Sequence, residues 1–347
     1  MPVRGCPAET QARLSEGRGW HARQPWRPAA NIGKVRPNPS IRSLSLHLMT
    51  DPNQPAAKAR IAASGLAFLA ITSVGWGLNF PIMKHLLTEW PPLSSRGLCG
   101  IAGAGALALV AVARRQSLQV PPQMWSRLLL VSLLAIGGWV AFMGLALLWL
   151  SASEAAVLGI SIPVWVALLA WPILGERLSP LRAISLLVAL AGITVLIGGN
   201  GMDASLEKLP GILCALAGAV CVALGTVLTK HFPLAMPPLA LAAWQVGIGC
   251  VPIAIAGLAI EQPQLAALSS VGWASMIYMT LIQFCLCYVC WFAALERLPA
   301  ATASIGTLLV PVIGVLAAGV MLHEPLGLRE ISALAVTLGG VALALRS

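Results

Sequence analysis

Charged residues are scarce in this 347-residue chain, because Asp, Glu, Lys and Arg together make up only 10% of it. In soluble domains about a quarter of the residues are charged. Hydrophobic residues reach 58% of the chain, and the mean hydropathy is +0.84. This composition excludes an ordinary soluble domain and predicts a membrane protein.

The sequence also lacks catalytic and metal-binding patterns. It contains no His-Glu-x-x-His, no Gly-x-Ser-x-Gly and no pair of Asp residues inside an apolar run. Cys285, Cys287 and Cys290 lie in one apolar segment without a His or carboxylate beside them, and they do not share one helical face. We therefore predict no enzyme, no metal site and no cofactor.

Long apolar runs separate the few charges. Runs such as 128–153, 155–175 and 209–229 are uncharged and match the ~20 residues that a spanning helix needs. Strand-like alternation is absent and Ala, Leu and Gly dominate, which favours helices over a barrel. We predict ten spans, at 62–83, 92–113, 127–149, 153–173, 181–199, 209–230, 237–259, 270–294, 300–321 and 328–345.

The second half of the chain repeats the first. At an offset of 148 residues Pro163 pairs with Pro311, and upstream an offset of 146 pairs Lys84 with Lys230. Leu, Ala and Val matches are frequent by chance, so the aligned Pro, Glu and Lys-His positions carry the inference. Internal repeats of apolar segments are typical of transporter folds.

Five predicted spans in each repeat have a topological consequence. An odd number of crossings forces repeat 2, at 201–347, to enter the membrane from the side opposite to repeat 1, at 61–200. Two such bundles can exchange roles between inward-open and outward-open states. We therefore predict an all-α polytopic membrane protein with ten transmembrane helices as two inverted five-helix repeats.

The distribution of Lys and Arg predicts the orientation. With the N-terminus inside, the inner connections hold eight of these cations and the outer connections hold four. Cytoplasmic connections are enriched in Lys and Arg, so both termini are predicted to be cytoplasmic. The net charge of +10 follows from this bias and from the N-terminal tail, and it predicts no nucleic-acid partner.

Residues 1–60 form a basic tail rich in Arg and Pro, without an apolar run long enough for a signal peptide. Three interpretations are open. The tail is disordered in the cytoplasm, or it is an Arg-rich targeting segment, or translation starts at Met49 and residues 1–48 are not made.

Polar and aromatic side chains inside the spans are candidates for a substrate cavity. Asn79 needs a hydrogen-bond partner, which either a neighbouring helix or a solute supplies. Trp76 and Phe80 lie on roughly the same side of that helix. Arg96 either snorkels to the outer surface or faces inward and anchors a carboxylate. The other candidates are Trp139, Met143, Gln245, Gln283, Tyr288 and Trp291.

The repeated proline and glutamate positions predict structural or gating roles. Pro163 and Pro311 each remove a backbone hydrogen bond within a span, which predicts a kink beside a central cavity. Glu176 and Glu324 follow thirteen residues later. At 1.5 Å per residue they lie about 20 Å further on, near the membrane faces. There we expect each glutamate either to cap the next helix or to pair with a nearby arginine and so hold a gate closed.

These residues resemble the EamA family of the drug/metabolite transporter superfamily, over residues 62–346. The marks are Trp76-Gly77-x-Asn79-Phe80 with Lys84, then Pro92 with Arg96, Pro163, Gly175-Glu176-Arg177, and the repeated Pro311 and Glu324. The resemblance implies an inner-membrane carrier with inverted repeats, a central cavity, and export of metabolites, amino acids or toxic compounds.

The sequence as a whole therefore predicts a secondary transporter that moves small metabolites, amino acids or toxic amphipathic compounds by alternating access. Its partners are a small-molecule substrate and the lipid bilayer. The alternative is a non-transporting membrane sensor or assembly subunit, which binds without flux. No acidic residue lies clearly at the midplane, so uniport and proton or solute counter-transport stay open, as does the oligomeric state.

Overall fold

Regular structure in the described part of the chain is helical. The computed structural model describes residues 63–175, 184, 187–188, 191, 201–298, 302 and 306–344, with backbone alone for 201–205, 329, 341 and 343–344. No strand occurs among these residues. The predicted all-α class is confirmed. The tail at 1–60, most of the fifth predicted span, and Glu176 lie outside the described residues.

Nine helices follow one another along the described ranges. They are α1 Ala63–Leu86, α2 Pro92–Ala113, α3 Pro122–Ala146, α4 Ala152–Leu174, α5 Gly201–His231, α6 Pro238–Ile260, α7 Ser270–Leu295, α8 Leu309–Met321 and α9 Leu328–Ala344. In α1 to α7 the apolar stretch is long enough to cross a membrane, whereas α8 and α9 are shorter. The helices α5 to α9 lie on the sixth to tenth predicted spans, and the count of ten stays a prediction.

Local sequence explains where α4 begins, breaks and ends. The Ser151 hydroxyl accepts a hydrogen bond from the Glu154 N–H, and the Glu154 carboxylate accepts one from the Ser151 N–H, which forms a capping box. The helix is interrupted at 160–161, just before Pro163, which has no N–H to donate. It ends at Gly175, whose φ of 70° is left-handed.

Helices α2 and α6 cap each other reciprocally. After α2, the Gln116 side-chain oxygen accepts hydrogen bonds from the N–H groups of Leu239 and Ala240 at the start of α6 (3.1 and 3.4 Å). After α6, the Glu261 carboxylate accepts bonds from Leu93 and Ser94 at the start of α2 (3.0 and 2.7 Å). The end of each helix therefore meets the beginning of the other, so the pair is antiparallel, as inverted repeats require.

A third helix start is capped by the loop between α1 and α2. The Glu89 carboxylate accepts hydrogen bonds from the N–H and hydroxyl of Ser269, the residue before α7 (2.8 and 2.7 Å). The hydroxyl bond, followed by the backbone bond, lowers the pKa of the Glu89 carboxyl below its ordinary value. Glu89 thus stays ionised near neutral pH and complements the positive end of α7.

The outward faces of the described helices are apolar. Leu109 in α2, Ile255 in α6 and Val320 in α8 are 74%, 64% and 76% exposed. Soluble monomers rarely expose so many large apolar side chains over a continuous surface, whereas a lipid-facing surface requires them. The described part of the chain therefore has the apolar outer surface of a multi-pass membrane protein.

Candidate functional site

A cavity of about 540 Å³ lies between helices of both repeats. Seven helices contribute to its lining, α1, α2, α3 and α4 from repeat 1 and α5, α7 and α8 from repeat 2. The largest lining side chains are Trp76, Phe80, Arg96, Trp139, Met143, Phe284, Tyr288 and Trp291. Such a volume suits a small organic molecule.

Nine of the ten residues that the sequence predicts for a substrate cavity line this space. They are Trp76, Asn79, Phe80, Arg96, Trp139, Met143, Gln283, Tyr288 and Trp291. Gln245 is not among the lining residues. The reason is tertiary, because α6 packs along α2 and no α6 residue belongs to the lining.

Arg96 is the charged group of the cavity, and it faces inward rather than snorkelling to a surface. Its side chain is 0% exposed. One guanidinium nitrogen contacts the Met83 sulfur, while Nε and Nη2 have no hydrogen-bond partner in the described ranges. A Cβ at Gly144 would lie 2.7 Å from the Arg96 Cδ, so this glycine leaves room for the side chain.

A buried guanidinium with unpaired donors is energetically costly. Burying an unpaired charge costs several kcal/mol, roughly 3–5 when one partner of a buried pair is missing. No Asp or Glu forms an ion pair with Arg96 among the described residues. The Nε and Nη2 donors are therefore unsatisfied, and a carboxylate that contacted them would accept two hydrogen bonds at once.

Two amide residues belong to the same lining, and their buried side-chain oxygens are unpaired. Asn79 and Gln283 are 8% and 7% exposed, and their side-chain oxygens lack hydrogen-bond partners among the described residues. The unpartnered oxygen of Asn79 favours the cavity-lining alternative over a role in joining helices. The Trp76 indole N–H donates to the Gln283 backbone carbonyl (3.4 Å), which ties α1 to α7 beside the cavity.

Aromatic side chains form one wall. The Trp76 ring lies 5.7 Å from that of Tyr288, edge-on, and 5.9 Å from that of Trp291. These distances fall within the range of favourable aromatic contacts. The cavity thus combines one buried cation, two amides and an apolar wall.

The lining follows the internal repeat. Ten pairs of lining residues are related by the 146 or 148 offset, namely Trp76 and Val222, Phe80 and Thr226, Ala135 and Gln283, Ile136 and Phe284, Val140 and Tyr288, Met143 and Trp291, Gly159 and Thr307, Ile160 and Leu308, Ile162 and Val310, and Pro163 and Pro311. The cavity therefore lies on the pseudo-two-fold axis. Arg96 and Asn79 have no equivalent across the axis, because Ala242 and Gly225 occupy those positions.

Comparison with known proteins agrees with this architecture. Residues 63–198 and 209–346 each match the EamA-like transporter family. The chain belongs to the EamA-like transporter family. The two matched segments are the two repeats that the sequence offsets define.

Relatives of this EamA-like transporter cover most of its length. The uncharacterized transporter YvbV of Bacillus subtilis is 29% identical over 283 residues, which are 80% of this chain and 89% of YvbV. A probable amino-acid metabolite efflux pump of Salmonella typhimurium is 27% identical over 292 residues, 80% of this chain and 92% of the pump. A solved crystal structure shares the fold at a TM-score of 0.60 and 22% identity, covering 81% of this chain and 96% of that one.

In this EamA-like transporter Glu324 also caps a helix, but not the one that follows it. Its carboxylate accepts hydrogen bonds from the N–H groups of Ala152 and Ser153 at the start of α4 (2.7 and 3.0 Å) and contacts the Ser153 hydroxyl. The glutamate of repeat 2 thus binds a helix of repeat 1. This contact differs from both roles that the sequence predicts for Glu324, because the α8–α9 connection reaches the start of α4.

Charged groups surround this contact. Lys208 at the start of α5 pairs with Glu154 (2.7 Å), and Lys84 donates to the carbonyls of Leu147 and Leu150 after α3 (2.6 and 2.9 Å). We call Lys84, Glu154, Lys208 and Glu324 the end cluster. It lies one helical turn from the cavity, since Ala156 and Phe80 are lining residues four positions or fewer away.

Sequence reasoning missed several lining residues and two members of the end cluster. Thr226 and Thr307 belong to the lining. The 146 offset could have found Thr226, because it pairs with the predicted Phe80, whereas Thr307 pairs with Gly159, which carries no signal of its own. No sequence signal reports the pairing of Lys208 with Glu154, because it joins helices from different repeats.

Proposed function

We propose that this protein is a secondary transporter that moves small amphipathic solutes carrying a carboxylate, amino acids foremost, across the inner membrane by alternating access. Export is the proposed direction, with both termini in the cytoplasm. The observation that carries the proposal is Arg96, buried and without a carboxylate partner among the described residues, in the lining of a cavity between the repeats.

The charge of Arg96 selects the substrate class. A solute that brings a carboxylate to Nε and Nη2 supplies the missing partner and gains charge-assisted hydrogen bonds. A solute with a net positive charge and no anionic group meets like-charge repulsion in a site of low dielectric. The site therefore favours anions and zwitterions over the cationic toxins that the sequence leaves open.

The other lining groups suit the rest of such a solute. The unpaired oxygens of Asn79 and Gln283 accept hydrogen bonds from an ammonium or amide group. The wall of Trp76, Tyr288 and Trp291 packs against an apolar moiety. An amino acid has all three parts, which agrees with the name of the Salmonella relative.

Inverted repeats support movement rather than static binding. Two bundles of similar structure around one site have two nearly equivalent packings, one open to each side. The cavity lies where the repeats meet, and its lining pairs across the pseudo-two-fold axis. The excess of Lys and Arg in the predicted inner connections supports the proposed orientation.

The test is transport by the purified full-length protein in proteoliposomes. Vesicles preloaded with one of the twenty radiolabelled L-amino acids, a monocarboxylate or a quaternary ammonium compound are diluted, and the loss of label is compared with that of protein-free vesicles. We expect faster loss for at least one carboxylate-bearing solute and none for the quaternary ammonium compound. Binding without flux across the panel contradicts the transporter and favours a sensor, while flux of the cation alone contradicts the role of Arg96.

A further inference from the structure

Two helices that line the cavity contain π-helical segments at equivalent places. In α3 the segment is Leu133–Gly138, and in α7 it is Tyr278–Leu286. The 148 offset places the first segment on residues 281–286, inside the second. Well under 1% of residues in proteins are π-helical, and such turns concentrate at functional sites.

The side chains do not explain the coincidence. Leu133–Gly138 ends in two glycines, whereas the equivalent residues of α7 are Cys285 and Leu286. Since unlike sequences adopt the same rare helix, the cause lies in the surroundings that the two segments share.

Each segment packs against a glycine of the reciprocally capped pair α2 and α6. A Cβ at Gly249 in α6 would lie 2.8 Å from the Gly137 nitrogen, 2.9 Å from the Ser132 carbonyl oxygen and 2.9 Å from the Ile136 Cβ. Contacts under 3.0 Å to backbone atoms leave no room for a methyl group. Only glycine at 249 allows this backbone to approach so closely.

The same contact recurs across the pseudo-two-fold axis. A Cβ at Gly103 in α2 would lie 3.1 Å from the Thr280 carbonyl oxygen and closer still to the Phe284 Cβ. The offsets pair Gly103 with Gly249, Thr280 with Ser132 and Phe284 with Ile136. The two π segments therefore share one arrangement, in which a backbone carbonyl in or beside the segment faces a glycine of the neighbouring helix.

A π segment determines which side chains face the cavity. It accommodates one more residue per hydrogen-bonded turn than an α-helix, so its conversion to α-helix turns everything beyond it by about 100°. Beyond the α3 segment lie the lining residues Trp139 and Met143, and beyond the α7 segment lie Tyr288 and Trp291. Conversion would move these rings out of the cavity.

We propose that the two π segments are matched hinges of the transport cycle, and that Gly103 and Gly249 are positioning residues that permit the π form. Conversion of one segment while the other stays π turns the cavity wall of one repeat and leaves that of the other in place. This inference rests on the proposed function, because it names the segments that move when the same cavity changes between its two open states. The α2 and α6 pair, capped at both ends, is the frame against which the segments turn.

The test requires no solute, so it separates failure of this inference from failure of the proposed function. Hydrogen–deuterium exchange with mass spectrometry is measured on the full-length protein in lipid nanodiscs. Because π-helical hydrogen bonds are poorer, we expect amides at 133–138 and 278–286 to exchange about tenfold faster than those of α2 and α6. Exchange in both segments as slow as in α2 and α6 overturns the proposal.

Glycine substitutions with matched controls test the positioning role. Gly249→Ala is expected to slow exchange at 133–138 alone, and Gly103→Ala to slow it at 278–286 alone, because the added methyl group excludes the π form. The controls are Gly247→Ala, whose Cβ would lie 3.5 Å from the Ala104 Cβ, and Gly105→Ala, whose Cβ meets nothing within 4 Å. General destabilisation would speed exchange in many helices. Faster exchange, equal change in both segments, or no change relative to the controls overturns the proposal.

Discussion

Replacing Arg96 with methionine should stabilise the empty protein and abolish its transport. The guanidinium is 0% exposed, lies against Met83 and leaves Nε and Nη2 unpaired. Methionine has a similar length and suits the apolar contact with Met83 without burying a charge. The substitution therefore removes a cost of the empty state and the proposed anchor of the substrate at once.

The substitution should raise the stability of the protein and lower its affinity for the substrate, and the size of each effect can be worked out separately. Replacing buried charged groups by apolar residues often stabilises a protein by about 1–4 kcal/mol. Loss of one partner of a buried carboxylate pair costs about 2–5 kcal/mol of binding, which weakens affinity by a factor between about 30 and several thousand. We expect Arg96→Met to unfold at a higher temperature in detergent while amino-acid flux falls at least about 30-fold.

Arg96→Lys is the informative companion variant. Lysine keeps the charge but loses the planar fork, so it should retain part of the flux and gain little stability. The reasoning is refuted if Arg96→Met unfolds at a lower temperature than the wild type, because Arg96 then has a structural partner. It is equally refuted if Arg96→Met transports amino acids at the wild-type rate.

Three further substitutions test neighbouring parts of the account. Asn79→Ala should raise the KM for amino acids by about threefold to thirtyfold through one lost hydrogen bond, with little change in thermal unfolding, whereas a helix-joining Asn79 would lower stability instead. Gln245 does not line the cavity, so Gln245→Ala should keep KM and flux within about twofold of the wild type. A larger change in either would show that Gln245 contributes to substrate binding. Lys208→Gln removes the ion pair between Lys208 and the Glu154 carboxylate, which is 7% exposed, and should lower stability by about 1–2 kcal/mol in chemical unfolding; unchanged stability would show that this pair is solvated.

The sequence predicted the helices well because apolar runs and scarce charges are local signals. The described helices lie on the predicted spans, and Pro163 marks the interruption of α4. The paired lining residues of α3 and α7 follow the same 148 offset that reveals the duplication. Periodicity and duplication are properties that sequence displays directly.

Other features depend on tertiary packing. The sequence left Arg96 between snorkelling and facing inward, and the inward side chain needs the space that Gly144 in α3 leaves. Gln245 does not line the cavity because α6 packs along α2, which no local pattern shows. Glu324 was expected to cap its own neighbour, but it binds a helix start in the other repeat.

The π segments were unpredictable for a similar reason. Leu133–Gly138 has two glycines and its counterpart has none, so no residue pattern unites them. The feature that they share is the close approach of Gly249 in α6 and Gly103 in α2. A sequence comparison of the repeats shows which residues are equivalent, but only the structure shows that a glycine faces a carbonyl oxygen.

Competition between an amino acid and its methyl ester tests the central claim most directly. In proteoliposomes, flux of the best-transported radiolabelled amino acid of the panel is measured with excess unlabelled amino acid or with excess methyl ester of the same compound. The ester keeps the side chain and the amino group and replaces the negatively charged carboxylate by a neutral ester group. We expect inhibition by the free amino acid and none by the ester. Equal inhibition by both would show that Arg96 does not recognise the carboxylate.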